Sequence, residues 1–295
     1  MNNQISSQSA DHSISHGVLG ETTSYPKTYS PAVLFPISRS LGRDEIEKKA
    51  AISADVVSLG MDWWHCFELS WLNPQGISQV AMARLAIPAD SEFIIESKSL
   101  KLYLNSLNLS KFDSLEVVKN TIESDLSTAL KTQVLVDIFS LNDISALNII
   151  QPLGKNIDQA LDNTTHQIGI VDDVTADMLK VEDGAADILS QSYQSHLLRS
   201  NCPVTDQPDW GTVQIDITSR KVDEASLLEY LLTYRQHNGF HEQCVEQIFA
   251  DLTKVFEPSH LMVRAWYTRR GGIDINPCRV SQTSLMPQPS RLVRQ

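Results

Sequence analysis

The chain has 295 residues, enough for about two domains of ordinary size. Its 24 lysines and arginines are outnumbered by 36 aspartates and glutamates, so the net charge of −12 excludes the strong positive field with which proteins bind nucleic-acid phosphates. No apolar stretch approaches the ~20 residues of a membrane-spanning helix, and residues 1–17 lack the basic and apolar regions of a secretion signal. The cysteines form no C-x-x-C pair, which favours reduced thiols over a zinc ribbon. We therefore expect a soluble, cytoplasmic protein with no membrane partner and no direct nucleic-acid partner.

Composition along the chain predicts four segments. Residues 1–45 are rich in Ser, Asn and Thr, which indicates an N-terminal arm without a core of its own. Residues 46–140 and 192–295 have the apolar patterning of globular units. Residues 141–191 are acidic and weakly periodic, so we expect a connection with some local structure.

Alternating apolar residues predict a β-hairpin in the first unit. Its strands cover residues 66–72 and 79–87, and turn-forming residues occupy 73–76. One side of the first strand is expected to carry Phe67, Leu69 and Trp71.

Two helices are predicted after this hairpin, because apolar residues then recur at helical spacing. Ser97 is expected to cap the first helix and Asp113 the second. Strand spacing returns at residues 134–138.

The second unit repeats the order of elements. A strand is predicted at 213–217, a helix after an Asp223 cap, a second helix whose apolar stripe runs from Val245, and strands at 261–268 and 273–275. This order predicts two similar α+β units, although the repeat is one of pattern and not of residue identity.

A cysteine in a shaped loop is the first candidate for chemistry. Cys202 lies in S-N-C-P-V-T-D-Q-P-D-W-G, where two prolines exclude regular helix and strand, and such loops often carry nucleophiles. Asp209, just before the predicted strand, could exchange a proton with the thiol. The alternative is a half-buried cysteine that only packs.

The second candidate is the pair His241-Glu242 at the start of the last helix. Both residues continue the apolar stripe, so this polar pair on a buried face needs a partner, and a ligand could supply it. A helix-capping glutamate beside a satisfied core histidine is the alternative. Position 245 is Val245 and not histidine, which excludes the H-E-x-x-H zinc motif.

Two basic segments are candidate anion sites. The helix start at Glu96-Ser97-Lys98-Ser99, with Lys101 nearby, could bind a phosphate through free N–H groups, although such caps are common. The turn 269–272 (R-R-G-G) could bind one through guanidinium groups, although a charged turn also protects sheet edges. No Rossmann or P-loop motif is present.

Four motifs together resemble one family. They are E-S-K-S-L-K-L-Y from Glu96, S-N-C-P-V-T-D-Q-P-D-W-G from Ser200, F-H-E-Q-C-V-E from Phe240 and Y-T-R-R-G-G-I-D-I-N-P from Tyr267. They resemble the NADPH-dependent 7-cyano-7-deazaguanine reductases, the nitrile reductases of queuosine biosynthesis, in their longer two-unit form. The resemblance implies tandem tunnelling-fold (T-fold) units like those of GTP cyclohydrolase I, and a barrel-forming homodimer.

The resemblance also implies roles for individual residues. Cys202 matches the nucleophile and Asp209 the general acid. The substrate-binding positions are matched by Glu242 with His241 and by Glu96 with Ser97. The positions that would hold NADPH are matched by Lys98, Ser99, Arg270 and Gly271, and no metal is implied.

These roles fit a defined reaction. Thiolate addition, with protonation at nitrogen, converts the nitrile of a deazaguanine into a thioimide, which accepts hydride far more readily. Two NADPH-dependent reductions then give the aminomethyl product.

Two other hypotheses are considered. One is a catalytically silent T-fold scaffold that binds a purine or pterin, which would bind ligand without consuming NADPH. The other is a zinc-dependent cyclohydrolase of the same fold, which would have to recruit ligands such as Cys202, Cys244 and His241.

Overall fold

The structure is a computed structural model that describes residues 25–143, 149–163 and 174–295. In these ranges the strands are β1 (Pro36–Ser38), β2 (Gly60–Leu72), β3 (Ser78–Pro88), β4 (Phe93–Ile95), β5 (Leu135–Phe139), β6 (Lys155–Asn156), β7 (Ile188–Ser195), β8 (Arg199–Asn201), β9 (Pro208–Arg220), β10 (His260–Tyr267) and β11 (Ile273–Val280). The α-helices are α1 (Ser40–Ala50), α2 (Ser97–Ser106), α3 (Leu115–Leu130), α4 (Glu224–Thr233) and α5 (His241–Phe256). Every helix in the described ranges is too short or too polar to span a bilayer.

One large sheet organises the fold. Within the described residues it has nine strands, with the path β5-β3-β2-β11-β10-β9-β7-β6 and with β8 paired to β9. Neighbours are antiparallel except β6 and β7. β1 and β4 form a separate antiparallel pair. The predicted α+β class with antiparallel sheets is confirmed.

The helices cover one face of this sheet over two apolar cores. Trp64 and Ile122 belong to the core of the first half, and Ile215 and Phe249 to that of the second. Successive strand residues point to opposite faces. Trp63, next to Trp64, therefore belongs to a third, smaller cluster on the opposite face of the sheet.

The predicted hairpin is confirmed as β2 and β3, but the expectation for Phe67 is wrong. A β-bulge between Cys66 and Leu69 adds a residue and reverses the alternation. Cys66 and Leu69 therefore join the core. Phe67 instead lies under the guanidinium groups of Arg269 and Arg291, whose carbons are 4.3 and 4.6 Å from the ring centroid.

Two predicted helix caps are also wrong. Glu96, and not Ser97, caps α2 with a side chain that accepts bonds from two backbone N–H groups. Ser114, and not Asp113, caps α3. The Asp223 cap of α4 is confirmed. In α2, the longer glutamate side chain satisfies two donors, whereas a serine hydroxyl usually accepts one.

The helix starts of the two halves repeat each other in their bonds. Ser99 Oγ donates to Glu96 O (2.7 Å), and Ser226 Oγ donates to Asp223 O (2.8 Å). In both halves a backbone N–H of an incoming segment donates to this serine hydroxyl at 3.0 Å. The repeat therefore extends to residue identity, which the sequence analysis did not detect.

A buried tyrosine–aspartate bond is repeated in the same way. Tyr103 of α2 donates to Asp125 of α3, and Tyr230 of α4 donates to Asp251 of α5, both at 2.6 Å. Each bond ties the two helices of one half together above the sheet.

The segment boundaries stay a prediction. α1 runs across the expected boundary at residues 45/46, and β7 runs across that at 191/192. Residues 1–24 of the expected arm, and 144–148 and 164–173 of the acidic connection, lie outside the described residues.

We expect Tyr230→Phe to lower the free energy of unfolding by about 1–3 kcal/mol, because buried Asp251 would lose a donor. Urea denaturation would measure the loss. Tyr29→Phe is the matched control, since Asp125 would keep its bond from Tyr103. Equal losses in both variants would contradict this account.

Candidate active site

Cys202 lies in a tight loop directly after β8. Its N–H donates to Gln207 O (2.9 Å), and its carbonyl accepts from Asp206 N (3.0 Å), which closes the loop. Asp206 has a left-handed backbone (φ 59°), and its carboxylate accepts a bond from Asn238. Cys202 is partly exposed, whereas the other three cysteines are buried. Cys202 is therefore the cysteine placed to meet a ligand.

Asp209 is buried beside this loop as the second residue of β9, and not before the strand as predicted. Its Oδ1 accepts a bond from Arg270 Nη1 (2.6 Å), and its Oδ2 lies 3.3 Å from His241 Nε2. Burial alone would raise the pKa of Asp209, but His241 and Arg270 outweigh burial and lower it. Asp209 is therefore ionised at neutral pH in this arrangement.

Arg270 joins the cysteine loop to Asp209. It lies in the turn between β10 and β11, and its Nη2 donates to Gln207 (2.7 Å) and Thr205 (3.3 Å). Burial lowers the pKa of Arg270, but Asp209 and then Cys202 raise it, with a net increase. The guanidinium thus acts on both the thiol and the carboxylate, and its side chain remains 36% exposed.

His241, the first residue of α5, is held by stacking. Its ring lies 3.9 Å from that of Tyr267, at an interplanar angle of 19°. Its buried Nε2 makes no well-aligned hydrogen bond, although it is close to Asp209. A buried ring nitrogen without such a bond favours a ligand-binding role over a satisfied core histidine.

Glu242, the next residue, is a buried carboxyl with a perturbed ionisation. Burial and then the negative charge of Asp62 raise its pKa to about 7, although His241 and Arg39 lower it. Its neighbour one turn along, Glu246, has a lowered pKa because guanidinium groups surround it. Glu242 is thus the acid on this helix face that is placed for a polar ligand.

The guanidinium groups around Glu246 belong to a buried charge cluster. We define the charge cluster as Arg39, Arg43, Asp62, Glu246 and Arg279. Four short contacts hold it: Arg39–Asp62 and Arg279–Asp62 at 2.6 Å, and Arg43–Glu246 and Arg279–Glu246 at 2.8 Å. It joins the N-terminal segment, β2, β11 and α5.

The sequence analysis missed this cluster. Its visible signal is a charge inside an apolar strand, as at Asp62 in G-M-D-W-W and Arg279 in P-C-R-V. Both charges lie in parts of the strands that were not predicted. β2 begins at Gly60, before the predicted 66, and β11 continues to Val280, past the predicted 275.

The start of α2 differs from the predicted anion site. The carboxylate of Glu96 accepts the N–H groups of Lys98 (2.9 Å) and Ser99 (2.7 Å). The N–H groups of Lys98 and Ser99, which were expected to be free for a phosphate, are thus already used, so this part of the interpretation is wrong. Ser99 is 1% exposed, and its hydroxyl is bonded within the cap. Ser97 is exposed and Lys98 is half-buried.

A cavity of about 670 Å³ lies between the N-terminal segment and the second half of the chain. One wall is formed by β1 and α1, and the other by Pro203, Asn238 and Phe240 from the loops next to Cys202 and His241. Glu96 is joined to this cavity through β1, because its N–H donates to Phe35 O (3.0 Å). The lining of the cavity includes chain neighbours of Cys202 and His241 but not these side chains themselves, and its volume is ample for a small heterocycle.

Two of the predicted cofactor residues, Arg270 and Gly271, lie in a turn that contacts α2, the helix that carries Lys98. Lys101, one turn after Lys98, donates to Gly271 O (2.7 Å), so the turn between β10 and β11 packs on α2. Gly271 has φ 60°, and a Cβ there would lie 3.1 Å from the Lys101 side chain. Gly271 has no side chain to block the approach of a ligand, and the part-exposed guanidinium of Arg270 can bond an anion, so this turn fits an anionic nucleotide. Among the described residues, no three His, Cys, Asp or Glu side chains are arranged to hold a metal ion.

A part-exposed cysteine beside a buried aspartate, a histidine and an arginine, next to a cavity, is typical of an enzyme that acts through a cysteine nucleophile. The family model described as "Nitrile reductase, 7-cyano-7-deazaguanine-reductase N-term" matches residues 25–138, and that described as "QueF-like protein" matches residues 208–285. The chain belongs to the family of NADPH-dependent 7-cyano-7-deazaguanine reductases, which confirms the resemblance.

Relatives with that name match along nearly their whole length. The protein from Psychrobacter cryohalolentis is 57% identical, over 95% of this chain and 99% of its own. The protein from Acinetobacter baylyi is 52% identical, over 96% of this chain and 100% of its own.

We expect Glu242→Gln to stabilise the protein at pH 8 and to leave stability nearly unchanged at pH 4, below the unfolded pKa. A carboxyl whose pKa is about 7 in the folded state and 4.5 unfolded loses stability as pH rises between these values, by at most ~1.4 kcal/mol per pH unit. Urea denaturation at both pH values would measure this. Glu116→Gln, at the exposed equivalent position of α3, is the control. A Glu242→Gln effect independent of pH would contradict the assignment.

Proposed function

We propose that this chain reduces the nitrile of 7-cyano-7-deazaguanine to the 7-aminomethyl group with NADPH, in queuosine biosynthesis. The observation that carries the proposal is the cluster of Cys202, Arg270, Asp209 and His241 beside the cavity. Relatives at 57% and 52% identity that are named for this reaction support it.

Cys202 is the proposed nucleophile. Its sulfur, as thiolate, bonds to the nitrile carbon while a π-electron pair of the C≡N bond moves to nitrogen. Nitrogen takes a proton from the carboxyl of Asp209, which gives a thioimide and a carboxylate. Asp209 thus has to gain a proton when the substrate binds, since Arg270 and His241 favour its ionised form in this structure.

NADPH supplies one hydride in each of the two reductions. After the first, the carbon carries both nitrogen and sulfur, and Cys202 leaves as thiolate to give an imine. Asp209 and His241 are close enough to one another to pass a proton to the nitrogen. The second reduction yields the amine.

The proposed substrate-binding residues come from both halves of the chain. Carboxylates of Glu242 and Glu96 accept hydrogen bonds from the N–H edge of the guanine-like ring, with His241 and Ser97 beside them. Burial supports this role, because Glu242 is 3% and Glu96 6% exposed. A hydrogen bond from the ring to each carboxylate is strongest when the carboxylate is shielded from water.

For NADPH, we propose Lys98, Ser99, Arg270 and Gly271. The contact of Lys101 with Gly271 O supports a shared surface for three of them. The hydroxyl of Ser99 would act through the cap that it stabilises, since it is buried.

We also propose that the two halves are tandem T-fold units, with boundaries near residues 46–140 and 192–295. The matched serine caps and tyrosine–aspartate bonds of the two helix pairs support this.

A cytoplasmic homodimer with no direct nucleic-acid contact completes the proposal. Exposed apolar residues near both edges of the large sheet support the dimer: Leu135 on the end strand β5 is 53% exposed, and Ile188, on the part of β7 that β6 does not pair, is 61% exposed. Such exposed strand edges favour pairing with another chain.

We expect Ile188→Asp to shift the protein from dimer toward monomer, because it places a charge on this apolar edge. Sedimentation velocity would measure the shift. Leu109→Asp, at an exposed apolar position outside the strands, is the control. A monomeric wild-type protein would contradict the dimer.

The reaction itself is tested by NADPH oxidation at 340 nm with 7-cyano-7-deazaguanine, scored for product by mass. We expect two NADPH per aminomethyl product in the wild type, and no product with Cys202→Ala, which lacks the nucleophile. Cys278→Ala removes a buried thiol and should keep the activity. Tight binding without NADPH oxidation would instead favour the silent purine-binding scaffold.

A further inference from the structure

Arg39 occupies a junction between the two proposed substrate carboxylates. It directly follows β1 and caps α1. The other end of β1 is bonded to the cap of α2, since Glu96 N donates to Phe35 O and Phe35 N donates to Ser99 Oγ, both at 3.0 Å. The four-residue stretch from Phe35 to Ser38 lines the cavity. One short strand therefore runs from the Glu96 cap, along the cavity wall, to Arg39.

The guanidinium of Arg39 is bonded at every nitrogen. Nε donates to Ser91 Oγ (3.0 Å), Nη2 to Asp62 (2.6 Å) and Nη1 to Glu246 (3.4 Å). Its backbone N–H donates to Glu92 O (3.1 Å). At 3% exposure, Arg39 fixes the end of β1 against β2 and α5 in a single geometry.

Glu242 faces the same charges. It lies four residues before Glu246, and residues at this spacing are neighbours on one helix face. The charged groups around it are His241 and Glu246 from α5, Asp62 from β2, Arg279 from β11, and Arg39 and Arg43 from the N-terminal segment. Burial has the largest influence on its ionisation, and the charges with the main effect on its pKa are those of Asp62, His241 and Arg39. The buried thiol of Cys244, two residues along α5, also interacts with Glu242.

The charge cluster itself has a net positive charge, since it contains three guanidinium groups and two carboxylates. A buried carboxylate without compensation is costly. Of these arginines, Arg39 is the one among the main groups that favour the ionised form of Glu242, so its removal takes away part of the compensation for that carboxylate.

We propose that Arg39 is a positioning residue for substrate binding, which joins the strand from the Glu96 cap to the charge cluster and supplies part of the positive charge that compensates the Glu242 carboxylate. It acts through Glu96 and Glu242 and does not touch the substrate. The inference rests on the proposed function, in which these two carboxylates accept bonds from the deazaguanine ring.

Arg39→Met is a suitable test because it leaves the rest of the cluster paired. Asp62 keeps Arg279, and Glu246 keeps Arg279 and Arg43. Removing the positive charge raises the pKa of Glu242 further, since Arg39 is among the groups that lower it. Glu242 would then be protonated at neutral pH and would no longer accept the bonds of the ring.

The experiment measures the dissociation constant of 7-cyano-7-deazaguanine by calorimetry between pH 6 and 9, in a Cys202→Ala background that cannot form the covalent bond. Below a certain pH, protonation of Glu242 weakens binding, and we call this part of the pH profile the acidic limb. We expect Arg39→Met to shift the acidic limb upward by about one pH unit, which weakens binding at pH 7 about fivefold, and to recover affinity at pH 9. Arg39→Lys, which restores the charge, should return the limb toward that of the wild type.

Two controls separate a positioning role from damage. Arg43→Met removes a guanidinium that binds Glu246 and Ala89 O but does not contact Asp62. It should leave the acidic limb of the binding profile at the same pH. The rate of Cys202 alkylation by iodoacetamide, in otherwise wild-type chains, should stay within twofold after Arg39→Met. An unchanged pH profile, or an equal loss of affinity at every pH, would overturn the inference. No binding by the parent protein would instead overturn the proposed function.

Discussion

Pairing of charges in the interior is the constraint on which the remainder of this fold depends. Asp62 of β2 and Arg279 of β11 are almost fully buried and face each other at 2.6 Å, where the two halves of the sheet meet. Ions out of water are tolerated only in good geometry and with their remaining donors bonded. The halves and the N-terminal segment must therefore dock in one relative position, which is the position that forms the cavity.

The two halves use one scaffold for different purposes. The serine cap and the tyrosine–aspartate bond occur in both. At the start of the second helix, however, the first half has the exposed pair Leu115-Glu116, where the second has His241 and the buried Glu242. The chemistry is thus concentrated at a few positions, while the bonds that define the helix pair are kept in each half.

Much of the architecture is visible in the sequence, because hydrophobic periodicity reports which face of an element is buried. It yields the β2–β3 hairpin, the helix pairs and the Asp223 cap. Local rules fail where a tertiary contact decides. The bulge at Cys66 reverses the face of Phe67, and Glu96 takes the cap expected of Ser97. The grouping of Cys202, Asp209, His241 and Arg270 is proposed from motifs, but the pairing of Arg39 with Asp62 becomes visible only when distant charges are brought together.

The strand order also bears on how the chain reaches this state. β2 lies beside β11, so residues such as Trp63 and Asn276, which are 213 positions apart, must meet in the middle of the sheet. Contacts between such distant residues slow folding. During synthesis, β2 has an open edge and Asp62 lacks Arg279 until β11 has emerged from the ribosome. The central sheet cannot close before that point, so nascent or truncated chains without β11 present an unpaired strand to chaperones and to one another.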